Sequence, residues 1–278
     1  MIINNEIITS RNNPLVKWAA SLSDRKGREE SHAFFVEGEK LSVEAADRGL
    51  PITHFLVLES KKEYFLKRLS RAFSNPIYEN TQLVLLSDNA FSKISTEKAP
   101  QGIITIIKYL DFFRNMDIIY KEEFFLRYDE RALALCSVRD PLNLGSVIRS
   151  AVAFGVDHIV LTADCADIYN PKTVRSAMGS MFGISVSYVS DFHSFIDAAK
   201  DNGRRVFSAE LTDSAVSLSD AAVRPTDILI IGNEGHGIPK EISDKTDMSV
   251  YIPISDKTES LNASVAAAIF MWEQSKTK

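Results

Sequence analysis

The sequence predicts an α/β protein in two parts, a small N-terminal α/β domain followed by a C-terminal domain built on a mostly parallel sheet. Two observations carry this reading. The chain has 278 residues, and at about 100–200 residues per domain two domains are expected. From Ala132 onward, apolar runs of strand length recur at 132–138, 158–162, 184–189, 205–210, 227–232 and 249–254, with helical patterns between several of them. Continuous apolar strands alternating with helices mark a parallel sheet covered on both faces. The boundaries that follow are 1–107 for the first domain, 108–131 for a connector and 132–278 for the second domain. The connector mixes seven aromatic residues, from Tyr109 to Tyr128, with charges at no clean period.

Within the first domain, residues 12–23 read as a helix. Asn12 or Asn13 is the cap, Pro14 suits the first turn, and Leu15, Trp18 and Leu22 recur on one face. A polar basic stretch, Asp24 to Arg28, separates it from the apolar run 33–36. A helical pattern then stops at Gly49, the residue type that ends helices most readily. His54–Leu58, Gln82–Leu86 and Gly102–Ile107 read as strands, residues 61–73 as helix, and Asp88 as the cap of a short helix.

Composition narrows the function classes. Hydrophobic residues at 45% and charged residues at 25% are globular values, which exclude disordered, collagen-like and coiled-coil chains. No apolar run approaches the roughly 18 residues that span a bilayer. The segment MIINNEIITSRNNP lacks the charged head and apolar block of a secretory signal. Two cysteines, Cys136 and Cys165, neither staple a fold this size nor form a metal-type cluster, and a reducing cytoplasm is expected. The formal net charge is −5, unlike a protein that coats nucleic acid. Residues 1–110 nevertheless hold 15 Lys and Arg against 13 Asp and Glu, and the remainder 17 against 24. A local basic surface in the first part is compatible with an RNA partner without requiring one.

Four stretches carry candidate chemistry. Asp140 to Arg149 follows an apolar strand and opens a helix, where open α/β sheets bind ligands. Asn143, Ser146 and Ser150 form a polar row bordered by Arg149, although a solvent-facing helix start with Asn as its cap reads equally well. The run 231–239 places Gly232, Gly235 and Gly237 after Ile-Leu-Ile-Ile. Glycine permits close approach of backbone to a ligand, but the order G-x-x-G-x-G is not the dinucleotide fingerprint, and a plain turn is the alternative. The third stretch joins Ile252-Pro253-Ile254 to Glu259 through Ser264, ahead of a helix reaching Trp272. It reads either as an ordinary N-cap or as a helix start holding an anionic ligand group. In the fourth, Asp167 to Arg175, Pro171 begins a helix whose Lys172 and Arg175 share a face with Gly179, a phosphate-facing surface or a merely solvated one. The five histidines form no i, i+4 pair, and metal catalysis has no support.

Taken together, these stretches resemble the SpoU/TrmH family of RNA ribose 2′-O-methyltransferases, in the SPOUT superfamily. The resemblance covers residues 132–273 through three motifs in order: Asn143-x-Gly145-x-x-x-Arg149, then Gly232-Asn233-Glu234-Gly235, then Ile252-Pro253 with Glu259 through Ala266. It implies a deep trefoil knot, which no pattern argument would suggest because knots are so rare. It also implies bound S-adenosylmethionine, with S-adenosylhomocysteine as product and no metal, and a homodimer whose active site uses both subunits. By the resemblance, Gly232, Asn233, Gly235, Ile252, Pro253 and Leu261 hold the cofactor, while Asn143, Arg149, Glu234, Ser260 and Asn262 match active-site positions. The N-terminal part looks like a ribosomal-protein-related RNA-binding domain, through residues 8–14 and 35–40. Arg11, Arg25, Lys26, Arg28, Lys172 and Arg175 are the RNA contacts suggested by charge. Ile254 stands where methionine is frequent, and Ser255 to Thr258 replaces a more glycine-rich turn.

The resemblance thus implies an S-adenosylmethionine-dependent ribose 2′-O-methyltransferase acting on large-subunit rRNA. Arg149 is the family's candidate for activating the ribose hydroxyl. Because arginine keeps its proton in proteins, stabilising a developing alkoxide or gripping a phosphate is the easier role. A tRNA 2′-O-methyltransferase, a non-catalytic ribosome assembly factor and a small-molecule α/β enzyme are the alternatives.

Overall fold

A computed structural model describes residues 1–110, 113–115, 126–127, 129–233 and 235–276. The chain divides into two compact units, Met1–Leu110 with Asp167–Phe182, and Asp111–Ala166 with Gly183–Lys278. The expected connector lies largely outside the described residues.

In chain order the first unit contains β1 (Ile2–Ile8), α1 (Pro14–Ser21), α2 (Arg25–Ser31), β2 (Ala33–Glu37), α3 (Glu39–Asp47), β3 (Ile52–Leu58), α4 (Lys62–Arg68), α5 (Ser70–Phe73), β4 (Gln82–Leu86), α6 (Asp88–Phe91) and β5 (Ile103–Lys108). Its strands form a mixed sheet ordered β1-β4-β3-β5-β2, in which β1, β4 and β3 run parallel and β5 is antiparallel to its neighbours. Two expectations change, and one strand is added. The helix of residues 12–23 ends at Ser21, and the polar basic stretch that follows begins a second helix. That helix carries no apolar stripe to announce it, and it comes so close that a Cβ on Gly27 would lie 2.2 Å from the Ser21 carbonyl oxygen. The helical stretch 61–73 breaks at Leu69 into α4 and α5. Ile2–Ile8 is a strand without alternation, largely exposed, that forms the sheet's edge by pairing in parallel with β4.

The remaining elements are β6 (Phe113–Asn115), β7 (Ala132–Leu135), α7 (Pro141–Ala153), β8 (His158–Thr162), α8 (Pro171–Ala177, which belongs to the first unit), β9 (Ser185–Val189), α9 (Phe192–Asp201), β10 (Val206–Ala209), β11 (Val216–Ser217), β12 (Ile228–Ile231), α10 (Lys240–Ser243), β13 (Met248–Tyr251) and α11 (Ala263–Ser275). The second unit's eight strands lie in the order β11-β13-β10-β12-β7-β8-β9-β6, and every pairing is parallel. Side chains alternate between faces along a strand. Ala132, Ala134, Ile228 and Ile230 therefore pack with Phe192, Phe195 and Ile196 of α9. The alternate residues Leu133 and Leu229 line a small recess with Phe270 and Met271 of α11, and α11 packs against α7. Gln274 closes the end of α11 by donating to the carbonyls of Pro225 and Asp227, at 3.1 and 2.8 Å.

The chain leaving β7 crosses to β8 on one side, and the chain leaving β12 crosses to β13 on the other. The adjacent pair β7 and β12 thus marks a topological switch point, where such sheets bind ligands beyond the carboxyl ends of their strands.

Candidate active site

Each motif begins where a strand of this sheet ends. After β7, the apolar run expected to reach residue 138 stops at Leu135, because Ser137 takes a left-handed backbone (φ 57°) and turns the chain. Asp140, rather than Asn143, caps α7, its side chain accepting from the Leu142 amide. Asn143 is the third helical residue. Its Oδ1 accepts a 2.9 Å hydrogen bond from Nδ2 of Asn262. Asn262 in turn caps α11, its Oδ1 accepting from the Ser264 amide at 2.9 Å. One side chain therefore starts α11 and ties the third motif to the first.

Arg149 is exposed on α7, and among the described residues its guanidinium has no hydrogen-bond or ion-pair partner. Ser260 is exposed too, and its carbonyl accepts from Thr258 Oγ1 at 3.3 Å. Glu234, named with them, lies outside the described residues.

The loops after β10, β12 and β13 wall a cavity of about 720 Å³, well within the size of small-molecule sites (about 300–1,000 Å³). Gly232, Asn233, Ile252, Pro253 and Leu261 line it, as does Ser260. Gly232 has no room for a side chain, since an added Cβ would lie 2.5 Å from the Gly237 carbonyl carbon. Gly235 is not among the lining residues; its amide donates to Asn233 Oδ1 at 2.8 Å and shapes the turn. Asn233 also donates from Nδ2 to the Ser137 carbonyl at 2.9 Å, so its side chain holds the first and second motif loops together. The wall contributed by Ala209, Glu210 and Leu211 was missed from sequence. No motif marks it; the only signal is that an apolar strand ends there.

Beside the first motif, Asp164 gathers hydrogen bonds from Ser137 Oγ (2.8 Å), Thr162 Oγ1 (2.7 Å) and Arg139 (2.7 Å). Burial works to raise its pKa, but the bonds from Arg139, Thr162 and Ser137 outweigh it and the carboxyl is held at about 2. Cys165, next to it, is pushed up to about 11 by burial. It is a packed thiol with no sign of a nucleophile's activation.

The charged residues suggested as RNA contacts all fall in the first unit. Arg11 and Lys172 are exposed. Arg25 pairs with Glu29 at 2.7 Å and Lys26 with Glu30 at 3.7 Å. Arg175 pairs with Glu97 at 2.9 Å and donates to Thr96 Oγ1 at 3.1 Å. Arg28 requires a correction. It is 1% exposed, donates to the carbonyls of Leu22 and Ser23 and pairs with Asp167 at 2.6 Å. Those contacts make it an internal strut, out of reach of RNA.

Residues 130–272 match the SpoU rRNA Methylase family, and residues 13–105 match the MRM3-like substrate binding domain. The chain is 34% identical over 265 residues to the 23S rRNA (guanosine(2553)-2′-O)-methyltransferase RlmP of Bacillus subtilis, covering 95% of this chain and 97% of the relative. It is 28% identical to an uncharacterized tRNA/rRNA methyltransferase of Synechocystis, covering 96% and 92%. Among solved structures, the AdoMet-bound rRNA methyltransferase from Sinorhizobium meliloti superposes with a TM-score of 0.80 at 26% identity, covering 99% of this chain and 98% of that one. With its three motif loops gathered at the carboxyl ends of neighbouring parallel strands, the chain belongs to the SpoU rRNA Methylase family.

Proposed function

We propose that this protein is an S-adenosylmethionine-dependent methyltransferase that modifies a ribose 2′-hydroxyl of large-subunit rRNA. The observation that carries this is the meeting of the three motif loops. Two of them wall the cavity, and the Asn143–Asn262 bond brings the first against the third. The relative in Bacillus subtilis bears the name of a 23S rRNA 2′-O-methyltransferase over nearly its whole length.

The cavity suits the cofactor. Ile231, Ile252, Leu261 and Phe270 offer apolar wall to a purine, and the loop backbones at Gly232 and Leu261 offer polar edges. When bound, S-adenosylmethionine supplies an electrophilic methyl group. The protein's own part is to hold the ribose hydroxyl in line with it, since positioning accounts for much of such an acceleration. Asn143 and Asn262 fix the two loops that frame the acceptor. Arg149 stabilises negative charge developing on the hydroxyl oxygen or grips the neighbouring phosphate, and Ser260 and Glu234 orient the ribose or the guanidinium.

The same reading divides the chain at 1–107, 108–131 and 132–278, with RNA held by the first part, and places the family's trefoil knot in the second. It makes the protein a cytoplasmic homodimer. Leu142, Val152, Val265 and Trp272, exposed apolar residues on the packed pair α7 and α11, support a second copy as partner. Among the described residues, no helix is long and apolar enough to cross a membrane.

The test is to incubate the protein with methyl-tritiated S-adenosylmethionine and purified unmodified rRNA or tRNA. Label in large-subunit rRNA at an alkali-resistant linkage is expected. Label confined to tRNA keeps the chemistry and overturns the substrate. Absence of label in either, with the cofactor still bound, points to a non-catalytic binder.

A further inference from the structure

The cavity wall that no motif announces holds a carboxylate with an unusual set of partners. Glu210 follows β10, the strand between β12 and β13. Its backbone amide donates to the Val250 carbonyl at 3.0 Å. Its Oε1 accepts from three hydroxyls on three elements: Ser208 of β10 at 2.7 Å, Ser249 of β13 at 3.0 Å, and Ser243 of α10. Ser208 is fully buried and also lies 3.1 Å from Thr246 Oγ1. One carboxylate oxygen is thus fixed from behind, while Oε2 has no hydrogen-bond partner among the described residues. Glu210 itself lines the cavity. The other carboxylates of the lining are Asp256 and Glu259, and among the described residues that line it there is no lysine, arginine or histidine. Asp256 belongs to the Ser255–Thr258 turn that departs from the family's glycine-rich pattern. A fixed carboxylate on a partly desolvated wall attracts a cation more than water-exposed charges do.

We propose that Glu210, assisted by Asp256, makes this cavity select its ligand by charge, favouring the cationic methyl donor over the demethylated product. The inference rests on the cofactor reading above. S-adenosylmethionine carries a sulfonium that S-adenosylhomocysteine lacks, so the two differ by one positive charge as well as a methyl group. A wall that favours the cation weakens its hold on the product once the methyl group has left, and so promotes release. The apolar wall and the backbone contacts hold both ligands alike, and Glu210 supplies the difference.

Calorimetric dissociation constants test this for S-adenosylmethionine, S-adenosylhomocysteine and sinefungin, an analogue with an amine in place of the methylated sulfonium. Glu210→Gln retains a side-chain oxygen to accept from the serines and removes the charge. The expected result is a loss of about five- to tenfold in affinity for both cationic ligands, the scale of one charge interaction at partial desolvation, with the product constant within about twofold. Asp256→Asn, on an exposed turn that supports no core, should shift the same ratio in the same direction by about twofold, and it keeps the test open should Glu210→Gln unfold. Equal weakening of all three ligands, or an unchanged ratio in both variants, overturns the proposal. Failure of the unaltered protein to bind any of the three overturns the cofactor reading instead, so the two failures are distinguishable.

Discussion

Arg149 and Gly232 matter for opposite reasons, one for what its side chain reaches and the other for having none. Arg149 is exposed and unpaired among the described residues, and it does not line the cavity. Arg149→Ala should therefore reduce methyl transfer to background in a single-turnover assay while changing the S-adenosylmethionine dissociation constant by less than about threefold. Equal loss of both would remove it from the acceptor side. At Gly232 the two nearest atoms belong to the Gly237 backbone, which cannot swing away. Gly232→Ala is expected to displace the Gly237 segment and weaken cofactor binding by more than about tenfold, the effect of a shift of an ångström or less in a close-packed loop. Both residues, and the separate roles the resemblance gives them, were legible as motif members. The reason Gly232 has no room for a side chain was not, because a motif does not say which neighbour lies 2.5 Å away.

At the scale of elements, the end of β7 shows how a strand, a turn and a helix are locked in place. Ser137, Thr162 and Arg139 converge on Asp164, and Asn233 joins them through the Ser137 carbonyl. Asp164 titrates at about 2 in the folded protein, below the roughly 3.9 of an unperturbed aspartate. Its contribution to stability is therefore complete above about pH 4 and is lost as the pH falls from there through about 2. In urea unfolding, Asp164→Asn should be less stable than the unaltered protein at pH 6, with the gap closing between pH 4 and pH 2. A gap that does not vary with pH would show that the carboxylate's charge is not what holds the loop. The effect is modest, because the side chain is 43% exposed. Helix α2 shows the reverse case, an element with no amphipathic stripe. Arg28 anchors it through Asp167, a residue 139 positions away in sequence, so local pattern could not have identified the anchor.

For the whole molecule, sheet order decides where the site forms. Strands β13, β10, β12 and β7 are neighbours, although 70 residues separate the end of β7 from the start of β10. That order sets the loops after β10, β12 and β13 around one cavity and places the β7 loop beside them. The exposed apolar residues of α7 and α11 carry the dimer reading, with Trp272 53% exposed. Trp272→Lys should shift the sedimentation coefficient from dimer toward monomer at micromolar concentration while leaving the melting temperature within a few degrees, since an exposed side chain contributes little to a monomer's own core. A protein that sediments as a monomer before substitution would overturn the dimer.

The sequence by itself determined the fold class, the parallel strands from Ala132 onward and the three motifs, because strand periodicity, glycine spacing and helix caps are local properties. Tertiary structure decided the rest. It placed Asn143 against Asn262 across 119 positions, buried Arg28 among carbonyls, and drew residues 167–182 into the first unit. It also put Glu210 in the cavity wall with three serines behind it. In each case the partners are distant in sequence and are brought together only by the order of strands in the sheet or by packing within a unit, which one-dimensional patterns do not encode.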